Sequence, residues 1–283
     1  MKTCSSIASL RRALAATSDK RIGFVPTMGY LHEGHLSLVR ACRRQNDVAV
    51  VSIYINPAQF GPAEDLQRYP RDLRRDSALL RKEGVDVLFM PGDAEMYPPP
   101  YRTHVSVGEL DGRLCGRSRP GHFRGVATIV LKLFNLVRPH RAYFGQKDAQ
   151  QALVIRQMVR DLDLPLRLSV MPIVRDADGL ALSSRNVYLS AGERRAALAL
   201  PRGLGRAKAM IEGGERDANA VLAAVAEEIA AQPLLEVDYI AVVRLDDLKE
   251  TDEIEPGNTL VAAAVRAGRT RLIDNYLSGE ISC

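Results

Sequence analysis

The sequence predicts an α/β protein: a parallel sheet covered by helices on both faces, followed by a smaller α+β unit. Two observations carry this. Through the first two thirds of the 283 residues, β-branched apolar runs alternate with amphipathic stretches, the pattern of successive βαβ units. From Ser190 onward the order changes to helices and then strands, which marks a separate unit. The expected division is residues 1–174 and residues 175–283.

The elements follow in order. Ile22-Gly23-Phe24-Val25-Pro26 reads as a buried strand ending at proline, and Leu36, Val39 and Cys42 then take helical spacing. Residues 48–55 form a second strand, Leu73, Leu79 and Leu80 mark a helix, and residues 85–90 form a third strand closed by Pro91-Gly92. A proline-rich turn precedes a short alternating stretch, 103–107. A long apolar helix over 123–137 is halted by Pro139. A strand at 141–144, a helix over 150–162 and a strand at 165–170 complete the sheet. Beyond it, Ser190 and Glu193 form a capping box, Pro201 interrupts the helix and Gly213-Gly214 ends it. A helix over 218–231 precedes strands at 237–243, 260–265 and 272–275.

Composition narrows the class. Hydrophobic residues are 46% and charged residues 26%, a globular balance, and no apolar run approaches the roughly 18 residues of a membrane span. The first residues contain no signal-peptide apolar region, so a cytoplasmic location is expected. The cysteines Cys4, Cys42, Cys115 and Cys283 form no CxxC pair, which argues against a zinc ribbon or a disulfide framework; free thiols are expected, with Cys42 in the core. The net charge is +5, yet tryptophan is absent and no basic run interleaves with aromatics, so nucleic acid is not an expected partner.

Three segments carry chemistry. Pro26-Thr27-Met28-Gly29 leads from a strand into His32-Glu33-Gly34-His35 at a helix start. Histidines three apart share one face, beside the free N–H groups and positive dipole end of that helix. Gly34 leaves no side chain between them, so a phosphate can approach the backbone. A zinc-protease HExxH fails on spacing, because the second ligand falls on Leu36. The second segment, Gly145-Gln146-Lys147-Asp148 with Gln150 and Gln151, also sits where a strand gives way to a helix. Its lysine supplies a point charge for phosphate oxygens, and its aspartate can accept from ribose hydroxyls. The third, Leu182-Ser183-Ser184-Arg185, places two hydroxyls and an arginine in succession, able to close over a polyphosphate. There is no P-loop, no GxGxxG after a strand and no GxSxG elbow.

Together the stretches VPTMGYLHEGH, INPAQFGPAEDLQRYPRD, GHFRGVATIVLKLFNLVRPHRAYFGQKDAQQ and DGLALSSRNVYLS resemble the pantoate–β-alanine ligase (pantothenate synthetase) family, within the HxGH nucleotidylyltransferases. The resemblance runs in order from Val25 to Ser190 and thins beyond. It implies a Rossmann-like ATP- and pantoate-binding domain with a C-terminal lid, and commonly a homodimer. It also implies a two-step reaction: pantoate attacks the α-phosphorus of MgATP, and β-alanine then attacks the pantoyl adenylate. By the same resemblance His32, His35, Lys147 and Arg185 are catalytic, with His35 at the proton donor's position. The nucleotide falls to Pro26, Thr27, Met28, Gly34, Gly145, Gln146, Asp148, Val174, Leu182, Ser183 and Ser184. Pantoate falls to Met28, Gln59 and Gln151, and Asp76 is the candidate magnesium ligand, with the ion held largely by phosphates and water. Tyr30 stands where many relatives have a small residue, and Leu182 where methionine is usual.

Overall fold

In the computed structural model, which describes residues 1–17, 19–62 and 64–281, the five expected strands join a short N-terminal one in a sheet of six parallel strands. They are β1 (Lys2–Cys4), β2 (Ile22–Thr27), β3 (Val48–Ile53), β4 (Val87–Phe89), β5 (Arg141–Gly145) and β6 (Arg167–Met171). Their order across the sheet is β1-β4-β3-β2-β5-β6. Every residue of β3 is buried, as a central strand covered on both faces requires. The intervening helices are α1 (Ile7–Ala15), α2 (Glu33–Gln45), α3 (Leu73–Lys82), the single turns α4 (Asp93–Met96) and α5 (Cys115–Ser118), α6 (His122–Val137) and α7 (Ala149–Asp161).

Chain order reverses between β2 and β5, which pair directly through Gly23 with Arg141 and Phe24 with Ala142. A sheet that winds away in both directions from one point leaves a crevice at the carboxyl ends of those two strands. The segment 26–35 leaves β2 there, and 145–148 leaves β5 beside it. Two stretches more than a hundred residues apart thus become neighbours.

The second unit contains α8 (Ala191–Ala197), α9 (Ala199–Glu212), α10 (Ala218–Ala230) and an antiparallel sheet of β7 (Leu235–Arg244), β8 (Asn258–Ala267) and β9 (Thr270–Gly279). Ser190 caps α8 by accepting the Glu193 N–H at 3.2 Å, while the Glu193 carboxylate takes the Ser190 N–H at 2.8 Å. The helical break falls at Leu198, which leaves Pro201 in the first turn of α9, where a missing N–H costs nothing.

Both faces of the second sheet are covered. Val242, Val261 and Val265 pack against Leu204, Ile211 and Val225 of α9 and α10. On the opposite face Ala241, Val243 and Ala262 join Val126, Val130 and Ile155 of α6 and α7 in one continuous core. The second unit therefore shares a core with the first. Two smaller differences have local causes. The alternating stretch 103–107 runs as unpaired extended chain along α6, with the Val105 N–H on the Thr128 hydroxyl at 2.9 Å. Strand β1, three residues with only Cys4 buried, is too short to show a period. Cys4, Cys42 and Cys115 are buried free thiols, while Cys283 lies outside the described residues.

Candidate active site

The turn after β2 is held by its own polar groups. The Thr27 hydroxyl donates to the Ser52 carbonyl at 2.8 Å and accepts the Gly29 N–H at 3.2 Å. Gly29 and Tyr30 both take left-handed backbone, φ +84° and +50°. Asp76 of α3 then accepts the N–H groups of Tyr30 at 2.7 Å and Leu31 at 2.8 Å. The side chain expected as a magnesium ligand is fully buried, and both of its oxygens are engaged in holding the turn. Among the described residues no three His, Cys, Asp or Glu side chains converge as a metal cage requires.

Helix α2 begins with His32 as its cap, and His35 stands in its first turn. Their ring centroids lie 4.0 Å apart. The His32 backbone N–H donates to His35 Nδ1 at 3.3 Å, so Nδ1 is the acceptor and Nε2 carries the proton. Gly34 has a sharper role than phosphate access alone. A Cβ there would lie 2.9 Å from the His32 ring and 3.9 Å from Leu182, so the glycine makes room for the imidazole to fold back. Both rings are neutral near pH 7. Burial, and then His35 and Lys147, drive His32 down to about 2; burial and Lys147 drive His35 down to about 4.

His122 of α6 is likewise lowered to about 4, by burial and by Arg119. Its Nδ1 lies 2.7 Å from the Gln59 carbonyl, which fixes Nδ1 as the donor and Nε2 as the acceptor from Arg119 at 2.9 Å. These depressed values have a defined sign. Below the unfolded histidine value near 6.5 the unfolded chain takes up protons that the folded chain refuses, so stability falls as pH drops from about 6.5 through about 4. His122 alone is expected to contribute roughly 1–3 kcal/mol to that loss. Urea denaturation at about pH 7 and about pH 4.5 measures it, and His122→Asn, which keeps a donor toward Gln59 but cannot titrate, should show a shallower slope. Equal slopes in the two proteins contradict the assignment.

At the end of β5, residues Gln146–Asp148 form one 3-10 turn before α7. Lys147 Nζ stands 3.4 and 3.5 Å from the Asp148 carboxylate, a long contact that leaves the ammonium uncommitted. Gln150 points inward and serves structure: it accepts the Cys115 N–H at 3.0 Å and donates to the Leu110 and Arg113 carbonyls. Gln151 instead lines a cavity between the two units with Arg119, His122, Asp148, Tyr239 and Arg271.

Gln59 closes the short turn Pro57–Gln59. Its amide nitrogen meets the Met28 sulfur at 2.9 Å, and its amide oxygen accepts from Asn56 at 3.1 Å. Arg119, which also supports His122, is paired with Glu64 at 2.6 Å. The turn rests on α6 with no space to spare: a Cβ on Gly125 would lie 2.2 Å from the Ala58 carbonyl oxygen and 2.7 Å from the Gln59 nitrogen. Gly125→Ala is expected to push the turn off the helix and lower stability by about 1–3 kcal/mol, as overpacking does, read from the urea midpoint. An unchanged midpoint contradicts that packing.

The third segment folds over the first. The Ser184 hydroxyl donates to the Tyr30 carbonyl at 3.1 Å, and Leu182 gives its N–H to Val174 at 3.0 Å. The Ser183 hydroxyl accepts the Arg185 N–H at 3.2 Å. Arg185 makes a two-pronged bond to Asp65 at 2.8 and 2.7 Å and lies over the Tyr69 ring. The structure thus brings the histidine pair, Gly34, Leu182 and Ser184 together, sets Lys147 near enough to depress both histidines, and joins Met28 to Gln59. Asp65, Arg119 and His122 were not among the expected site residues, although the stretches that carry the resemblance contain Asp65 and His122.

Known proteins place this arrangement. The family model described as "Pantoate-beta-alanine ligase" matches residues 2–277. The pantothenate synthetase of Roseiflexus castenholzii is 56% identical over 277 residues, 98% of this chain and 99% of its own. That of Moorella thermoacetica is 56% identical over 279 residues, 98% of each chain. The crystal structure of pantothenate synthetase from Thermus thermophilus superposes with a TM-score of 0.94 at 49% identity, covering 99% of this chain and 100% of that one. A pantoate-beta-alanine ligase from Francisella tularensis, complexed with "Beta-gamma ATP" and β-alanine, gives a TM-score of 0.81 at 33% identity and covers 98% of each chain. Matched along nearly its whole length, in sequence and in fold, the chain belongs to the pantoate–β-alanine ligase family.

Proposed function

We propose that the crevice between β2 and β5 joins pantoate to β-alanine in two steps, and that the residues gathered there divide the work between them. The observation that carries this reading is the convergence of one uncommitted ammonium, Lys147, and two neutral imidazoles on a single helix start. Such a set suits charge that appears on departing phosphate oxygens.

In the first step the pantoate carboxylate, already ionised near neutral pH, attacks the α-phosphorus of ATP; the new C–O–P bond forms as the bond to pyrophosphate breaks. No general base is needed. Lys147 supplies the positive charge, and His35 presents its Nε2 proton as a neutral donor, with the His32 ring tilted against it. Ser183, Ser184 and Arg185 close over the phosphates, while Gly145, Gln146, Asp148, Pro26, Thr27 and Val174 flank the nucleotide. Met28, Gln59 and Gln151 hold pantoate, the amides donating and accepting at once. In the second step the neutral amine of β-alanine attacks the acyl carbon, the acyl C–O bond breaks so that AMP leaves with the electron pair on its phosphate oxygen, and the proton lost from nitrogen passes to solvent. Positioning suffices for this step.

Magnesium, on this reading, arrives on the triphosphate with water as its remaining ligands. Residues 1–174 bind ATP and pantoate and residues 175–283 cover them, in a homodimer located in the cytoplasm; light scattering tests the dimer. Among the described residues no helix is long and apolar enough to cross a membrane.

The test is pantoate-dependent exchange of labelled pyrophosphate into ATP without β-alanine. Exchange with pantoate and not with other small carboxylates is the expected result. A stable dinucleotide product in place of an amide would mark a plain nucleotidylyltransferase and end the proposal.

A further inference from the structure

The second unit reaches the lysine turn through Asn275 of β9. This side chain is buried, 5% exposed, and its amide is fully spent on that turn. Its nitrogen donates to the Gln146 carbonyl at 3.0 Å and to the Lys147 carbonyl at 3.0 Å, while its oxygen accepts from Gln146 Nε2 at 3.2 Å. One planar amide therefore fixes two successive peptide groups, including the one from which the Lys147 side chain springs. The neighbouring Asp274, 2% exposed, steadies Asn275 by accepting its backbone N–H at 2.8 Å. The same carboxylate grips Arg175 with two bonds, 2.5 and 3.0 Å long, directly after Val174.

This geometry is specific. Three hydrogen bonds to one turn remove its freedom to rotate, and an ammonium on a four-carbon stem is only as well placed as the peptide that bears it. Asp274 ties the strand that carries the clamp to the chain just beyond the sheet. Neither residue has to touch a substrate.

We propose that Asn275, braced by the Asp274–Arg175 pair, is a positioning residue for the adenylation step, setting Lys147 from the second unit. The inference rests on the adenylating role given above to Lys147. It makes the two half-reactions respond differently: pyrophosphate departs only in the first, so the amine's attack on the finished adenylate does not need the clamp.

Asn275→Ala separates these. Pantoate-dependent pyrophosphate exchange is expected to fall about ten- to a hundredfold, chiefly in kcat, as a misplaced catalytic group causes. Aminolysis of supplied pantoyl adenylate by β-alanine should stay within about twofold of the parent. In a Lys147→Ala background the same change should cost less than about twofold more, because the clamp then has nothing to place. Asn275→Ser, which keeps one donor, gives an intermediate loss and serves if the alanine variant does not fold. Parallel loss of both half-reactions, full additivity with Lys147→Ala, or unchanged exchange in a folded variant overturns the proposal. Absence of exchange in the unaltered enzyme overturns the ligase reading instead.

Discussion

Lys147→Ala is expected to lower pantoate-dependent adenylation about a hundredfold or more, since it removes from the crevice a charge that its neighbouring carboxylate holds only loosely. The ammonium sits on the last turn before α7 and forms only long contacts with Asp148, so its removal opens no cavity in the core and the variant stays folded. The loss should appear in kcat for exchange more than in the KM for pantoate, because in the proposed role the charge meets the leaving group. Near-normal turnover in a folded Lys147→Ala enzyme refutes the role. A secondary effect follows from the electrostatics: Lys147 helps hold both histidines neutral, so the variant should raise the titration of His35 from about 4 toward the ordinary value, visible in the proton shift of the ring by NMR.

The His35 prediction turns on the same neutrality. His35→Ala is expected to cost on the order of a hundredfold in adenylation by deleting a fixed donor in a water-poor site. His35→Gln should recover about tenfold or more of that loss, since a glutamine Nε2 reaches toward where the imidazole Nε2 stood and is neutral in the same way. A requirement for an imidazolium would leave Gln no better than Ala. The pH profile gives a second check. With His35 titrating at about 4, the adenylation rate of the parent enzyme should show no histidine step near 6.5.

The alternation of strands and helices made the first unit legible, and the reversal of order between β2 and β5 explains why two distant motifs belonged together. Signals that depend on spacing within one element survived intact: the histidine face of α2, the Ser190 capping box, the glycine break after α9. What the sequence hid were contacts between elements. Asp76 has the side chain of a metal ligand, and nothing in its neighbourhood along the chain reveals that the Tyr30 and Leu31 amides occupy it. Gly125 lies in an apolar helix where a glycine looks merely permissive, although α6 approaches Ala58 so closely that no other residue fits. The second unit expected after residue 174 was drawn from a change of pattern, which marks a new unit and says nothing of its shared core with α6 and α7.

The pairing of Arg185 with Asp65 has a consequence for turnover. An anion that takes this guanidinium must first displace a carboxylate already seated on it with good geometry. That internal competitor weakens every anionic ligand alike, arriving triphosphate and departing pyrophosphate both, and so acts as uniform binding in reverse. If Arg185 meets phosphate as proposed, the cost falls on saturation and the benefit on the exit of a highly charged product. On the role proposed for Arg185, Asp65 is the carboxylate that an arriving polyphosphate displaces and that takes the guanidinium back when the anion leaves.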